Sequence, residues 1–119
     1  MARNRNVVSP LRGEIWAVNL DPTVGHEQAG LRPALVVSSD ALNSAAWSLV
    51  VVLPITGTDR GFPSHVKLSP PEGGLTKPSV IMVEQPRTVS KSRLGRRFGI
   101  VSPETMEQVD ELLRMVLDL

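Results

Sequence analysis

Two polar side chains stand where apolar segments meet loops: Arg32 in GLRPALVV, and Thr56 at the close of LVVVLPIT. Arg32 precedes Pro33, which pushes its backbone toward extended geometry and gives the guanidinium a defined point of departure. A planar cation with five donors matches a phosphate, including the pentacoordinate form that develops during phosphoryl transfer. Thr56 is followed by Gly57, where the backbone can approach anything bound, and its hydroxyl can donate to a phosphoryl oxygen. Each residue has a plainer alternative. Arg32 could form a rim ion pair with Glu27 or Asp40, and Thr56 could simply shape a turn. The pair gains meaning only if a sheet brings the two strand ends to one place.

Other candidates surround them in the sequence. Glu27 is either a general base or a solvated loop acid, and His65 either moves protons or fills an alternating strand. Gln85 and Arg87, in VEQPRTV, suit a base edge and a phosphate, or are merely polar residues at a strand end. Phe62, beside Pro63 in a polar loop, is the aromatic best placed to touch a ligand base, whereas Trp16 and Trp47 suit a core or an interface. With two Trp, two Phe and no Tyr, the chain lacks the aromatics of a sheet that stacks several bases. From Arg87 to Arg97 there are five cations (Arg87, Lys91, Arg93, Arg96, Arg97) and no acid. That run either follows a nucleic-acid backbone or is a solvated charged turn.

Much chemistry is excluded. The chain has no cysteine, hence no disulfide framework, thiolate metal site or cysteine nucleophile. His26 and His65 lie far apart in sequence, and no set of ligands has zinc spacing; the expectation is chemistry without metal or cofactor. A formal charge of +1 singles out no partner by itself. The basic start MARNRNVVSPLRG lacks the apolar stretch of a signal peptide. The longest apolar run, Leu49 to Ile55, is interrupted by Pro54 and is far too short to span a membrane, so a soluble, cytoplasmic protein is expected. No phosphate-cradling glycine motif, nucleophile elbow or HExxH occurs. An enzyme of this composition would take its nucleophile from the substrate, as RNA allows when its 2′-hydroxyl attacks the adjacent phosphate.

The elements that must position these groups are short. At 119 residues a single domain is expected, with residues 1–10 as an extension. Apolar or alternating runs bounded by Gly, Pro, Asn or Asp predict strands near Gly13 to Leu20, Ala34 to Ser38, Leu49 to Ile55, Ser64 to Leu68, Ser79 to Gln85 and Arg97 to Val101. Asp40 to Ala46 reads as a short helix capped by Asp40. At the C-terminus Met106, Val109, Leu112, Leu113, Val116 and Leu117 share one helical stripe, with Ser102 as N-cap and Pro103 in the first turn. Many short strands followed by a closing helix predict a small, strongly bent sheet or barrel. Two long connections, Asp21 to Leu31 and Gly57 to Pro63, are suited to binding.

In this order and spacing, RGEIWAVNLDPTVGHEQAGLRPALVVSSDALN, VVVLPITG, FPSHVKL, SVIMVEQPRTVSKSRLG and the terminal VDELLRMVL helix closely resemble the MazF/PemK toxins of bacterial toxin–antitoxin modules. The most specific part is GxEQxGxRP. The resemblance implies a mainly β fold, an SH3-like (CcdB/PemK-type) barrel with a C-terminal amphipathic helix, forming a homodimer. It also implies a metal-independent endoribonuclease that cuts single-stranded RNA at short sequence motifs and leaves a 2′,3′-cyclic phosphate and a 5′-hydroxyl. Carried over by motif, Arg32 and Thr56 are the catalytic pair with Glu27 in the supporting loop, while Phe62, Pro63, His65, Gln85 and Arg87 contact RNA. The implied second partner is an antitoxin whose acidic, partly disordered tail folds into the same groove. A non-catalytic interaction module, or a gyrase-directed toxin of the CcdB kind, is the alternative on the same fold.

Overall fold

The computed structural model describes residues 9–22, 24–27 and 30–119. The expected N-terminal extension lies outside the described residues up to position 8, and Pro10 is already buried. The chain runs β1 (Glu14–Asn19), β2 (Leu31–Val36), α1 (Asp40–Asn43), β3 (Leu49–Thr56), β4 (His65–Leu68), β5 (Ser79–Met82), β6 (Arg87–Ser90), β7 (Leu94–Ile100) and α2 (Pro103–Leu117), with single 3-10 turns at Glu72–Gly74 and Lys91–Arg93. This is a mainly β fold with helices. Every ladder is antiparallel, and the strand order is β4-β5-β3-β2-β1-β7, with β6 also paired to β3. Among the described residues no ladder joins β4 to β7, so the sheet is open along its hydrogen bonds where a closed barrel was expected.

β3 is the hub because it is the longest and most apolar strand. Its first half pairs with β6, from Leu49↔Ser90 to Val52↔Arg87. Its middle pairs with β2, and its end with β5 through Ile55↔Ile81 and Thr56↔Val80. Alternation along β1, β2 and β3 fills both faces. Ile15, Leu35, Leu53 and Ile55 join the larger core, while Val18, Ala34, Val36, Val50 and Val52 join a second one.

Several boundaries differ from expectation. β2 begins three residues before Ala34, because Leu31 and Arg32 pair with Asn19 and Val18 and Pro33 accepts the extended geometry. Arg32 is therefore inside the strand. β5 stops at Met82 and the chain turns through Val83 to Pro86. β6, with Val89 as its only apolar residue, gave no periodic signal and was not expected; pairing with β3 makes it a strand. The cap of α1 is Ser39, whose Oγ accepts from Leu42 N. Asp40 is in the first turn and accepts from Arg12 N instead.

Ser102 caps α2 as predicted, with Pro103 in the first turn. Val109 is fully buried, and Met106, Leu112 and Leu113 pack against the larger core. Burial of side chains of this size is worth about 1.5–3 kcal/mol each. The stripe does not continue to the end: Val116 and Leu117 are 40% and 51% exposed. Glu72 fixes the start of the helix by accepting from Ser102 N at 3.0 Å and Thr105 Oγ1 at 2.5 Å. Burial pushes its carboxyl up, but these bonds prevail and hold it below the ordinary value. The turn carrying Glu72 lies against β7 through glycine: a Cβ on Gly99 would stand 2.7 Å from Gly73 C. No helix among the described residues is long and apolar enough to cross a membrane.

Candidate active site

The sheet register brings Arg32 and Thr56 together. Ala34 pairs with Pro54, and two residues further out along each antiparallel strand, on the same side of the pleat, stand Arg32 and Thr56. Thr56 pairs with Val80, and Met82, two residues beyond, pairs with His65 at the start of β4. One face of four strands therefore presents Arg32, Thr56, Met82 and His65 as neighbours. They line an open cleft of ≈ 450 Å³ together with His26, Thr58, Arg60, Phe62, Glu84 and Gln85.

The local bonding keeps these groups in place. Thr56 is buried to 8% exposure, and its Oγ1 accepts from Thr58 N at 3.2 Å. The hydroxyl thus shapes a turn and lines the cleft at once. His65 N donates to Phe62 O, and the two rings lie 5.1 Å apart. The His65 side chain is 4% exposed, with Nε2 3.1 Å from Glu84 Oε2. Glu84 also accepts from Ser64 Oγ at 2.9 Å. Burial raises the Glu84 carboxyl, yet hydrogen bonds from its own amide, Ser64 and His65, with the attraction to His65, outweigh burial and hold it low. With Arg32 and Arg60 on its walls against one acid, the cleft suits an anion.

Of the expected site residues, Arg32, Thr56, Phe62, His65 and Gln85 meet in this cleft. Glu27 and Arg87 line a smaller adjoining cavity of ≈ 250 Å³ that shares Glu84 and Gln85 with it. Glu27 Oε1 accepts from Val24 N at 3.0 Å, closing its own loop. Pro63 is exposed beside the cleft without lining it. Arg87 is turned inward: its guanidinium donates to Leu20 O and, at 3.1 Å, to Pro22 O. The other arginines of the basic run are engaged as well, and its lysine is buried. Arg93 donates to Asn19 O and Asp21 O, Arg97 pairs with Glu14, Arg96 lies 4.6 Å over the Phe98 ring and Lys91 is 9% exposed. The fold thus holds the members of the run to different degrees, with Arg96 and Arg97 exposed. Among the described residues no three His, Asp or Glu side chains gather as metal ligands would.

From residue 11 to residue 117 the chain matches the family described as PemK-like, MazF-like toxin of type II toxin-antitoxin system. The chain belongs to this MazF/PemK family. Endoribonuclease MazF9 of Mycobacterium tuberculosis is 41% identical over 113 residues, covering 91% of this chain and 96% of that protein. The crystal structure of MazF from Deinococcus radiodurans superposes with a TM-score of 0.84 at 28% identity, over 94% of this chain and 99% of that one. A mycobacterial endoribonuclease in complex with its cognate antitoxin gives 0.77 at 31% identity, over 92% and 96%. At the level of the family, the class of activity is that of an RNA endonuclease toxin.

For this MazF/PemK member, reading the sequence left out His26, Thr58, Arg60, Met82 and Glu84. Met82 and Glu84 were within reach, since alternation from Val80 and the same VEQPRTV segment mark them. His26 and Arg60 sit in loops without periodicity, and only the fold shows that both histidines face one cleft.

Proposed function

We propose that this chain is a metal-independent endoribonuclease toxin that cleaves single-stranded RNA at short sequence motifs. The observation that carries this reading is that Arg32 and Thr56, each two residues beyond the Ala34↔Pro54 pair, line one cationic cleft. The 2′-oxygen of the substrate attacks the adjacent phosphorus, losing its proton. The bond from phosphorus to the 5′-oxygen breaks and that oxygen gains a proton, leaving a 2′,3′-cyclic phosphate and a 5′-hydroxyl. Arg32 stabilises the charge that grows on the phosphoryl oxygens and Thr56 donates a hydrogen bond to them.

Proton transfer falls to the titratable groups that share the cleft, with His65 held by Glu84 as the best supported of them. Glu27 has the supporting role of shaping its loop. Phe62 and Pro63 flank the RNA, Phe62 offering a ring on which a base stacks, and Gln85 reads a base edge. Sequence selectivity then resides in the loop 57–64 and the turn 83–86. We read the bent sheet as an SH3-like barrel left open between β4 and β7. The working unit is a homodimer in the cytoplasm, held in check by an antitoxin whose acidic tail occupies the cleft; the complex of a similar endoribonuclease with its cognate antitoxin supports an antitoxin partner and no more than that.

Incubating the purified protein with a long single-stranded RNA in excess chelator tests the reading. Wild type is expected to cut at recurring motifs, and folded Arg32→Ala and Thr56→Ala to leave the RNA intact. Intact RNA with wild type, or undiminished cutting by both variants, would overturn it in favour of an interaction module of the CcdB kind.

A further inference from the structure

The four carbonyls at residues 19 to 22, where the chain leaves β1, all meet guanidinium groups from the other end of the sequence. Arg93 takes those of Asn19 and Asp21, and Arg87 those of Leu20 and Pro22. Arg87 is the first residue of β6, held opposite Val52 by the β3 ladder. Arg93 ends the 3-10 turn that enters β7. Both cations thus depart from backbone fixed by the sheet.

The carbonyls they hold form the neck of the β1–β2 loop. Across that neck Leu20 N donates to Gly30 O and Gly30 N to Asp21 Oδ1, each at 2.9 Å, and Asp21 N donates to Asn19 Oδ1 at 3.0 Å. Beyond the neck, Val24 and Glu27 bond to each other, while His26 reaches the cleft and Glu27 the cavity beside it. The neck decides where both side chains stand relative to Arg32 and Thr56. Arg87 uses both terminal nitrogens of its fork, one on each carbonyl, whereas Arg93 bonds both of its carbonyls from a single terminal nitrogen.

We propose that Arg87 and Arg93 form a two-guanidinium clamp on the neck of the β1–β2 loop and act as positioning residues for the cleft, not as ligands of RNA phosphates. This rests on the ribonuclease reading for its catalytic consequence, but the clamp itself has a readout free of catalysis.

The test uses the full chain as wild type, Arg93→Gln, Arg93→Lys and Arg87→Gln. Amide hydrogen exchange is followed at Leu20 and Gly30, with Ile55 and Ile81 as reporters of the sheet. Arg93→Gln is expected to speed exchange at the neck by about tenfold with the sheet unchanged, and Arg93→Lys by less. On single-stranded RNA, kcat falls by about tenfold while KM and its salt dependence stay as in wild type.

Unchanged exchange at Leu20 and Gly30 would overturn the clamp, as would faster exchange with unaltered kcat. So would weaker RNA binding with a salt slope reduced by about one unit, the mark of a lost phosphate contact. Arg93→Lys keeps the charge and carries the test should Arg93→Gln unfold. A wild type that cuts no RNA, with the exchange result as expected, would sink the ribonuclease reading alone.

Discussion

Two groups of cations in this protein differ in sequence setting and in surroundings. Arg32 and Arg60 are isolated in their segments, yet both stand on the wall of the cleft. The dense run from Arg87 to Arg97 attracts the eye of any reader searching for a nucleic-acid surface, yet its four arginines touch the fold's own carbonyls, acid and ring. Local charge density therefore says little about where an anion binds. What counts is whether the fold brings the cation to the wall of a cleft, and that depends on pairing partners dozens of residues away.

The widest separation between the groups is expected in activity. Arg32→Ala should lower kcat by about 100- to 1,000-fold, the usual effect of deleting a donor to a developing oxyanion, with the melting temperature nearly unchanged. Arg97→Ala should do the reverse. Its partner Glu14 is buried, also accepts from Leu11 N and Trp16 Nε1, and its carboxyl is held low by those bonds and by Arg97 despite burial, which raises it. Removing the cation should cost about 1–2 kcal/mol of stability, discounted because Arg97 is itself half-exposed, and leave the cleavage rate alone. Denaturant titration alongside single-turnover cleavage would measure both. Equal loss of cleavage in the two variants would erase the distinction.

The sequence made one side of this comparison visible and hid the other. Arg32 and Thr56 were legible because each sits at a change of pattern, where an apolar alternation meets glycine or proline, and such changes are properties of neighbouring residues. α2 was legible for the same reason, down to its Ser102 cap. β6 was not, since RTVS has one apolar residue and becomes a strand only because Leu49 to Val52 need a partner. The extent of the helix stripe was misjudged at Val116 and Leu117, where periodicity continues but the sheet beneath does not. The bonds of Arg87 to carbonyls 65 and 67 residues earlier in the chain were hidden, because nothing local reveals such partners. Patterns report local chemistry; partners over long range report topology.

A second contrast sharpens the picture of the cleft itself, because Glu84 is the acid among its cations. Its folded carboxyl lies below the ordinary value of 4.5, so the stabilisation it lends is present above that value and is lost as the pH falls through the lower folded one. Glu84→Gln should cost about 1 kcal/mol at neutral pH, and the gap should close as acid protonates the wild-type carboxyl at a pH below the ordinary carboxylate value. Thermal unfolding of the two proteins across that window would check it. A gap that persisted or widened in acid would mean that packing, rather than the charge on Glu84, holds Ser64 and His65 in place.

The smallest effect is the most useful for breaking the division between the two groups of cations. Arg96 is exposed and lies over the face of Phe98, 4.6 Å from the ring centre. An exposed contact of that kind is worth about 0.5–1 kcal/mol, so Arg96→Ala should lower stability by no more than that, and Arg96→Lys by less. An exposed cation held by a ring face can reach a phosphate without dismantling the fold. If the basic run serves RNA at all, Arg96 is where it would be felt: plotting log binding constant against log salt should give a slope about one unit shallower for Arg96→Ala. An identical slope, with Arg60→Ala giving the shallower one, would locate the phosphate path in the cleft and leave residues 87 to 97 to the architecture.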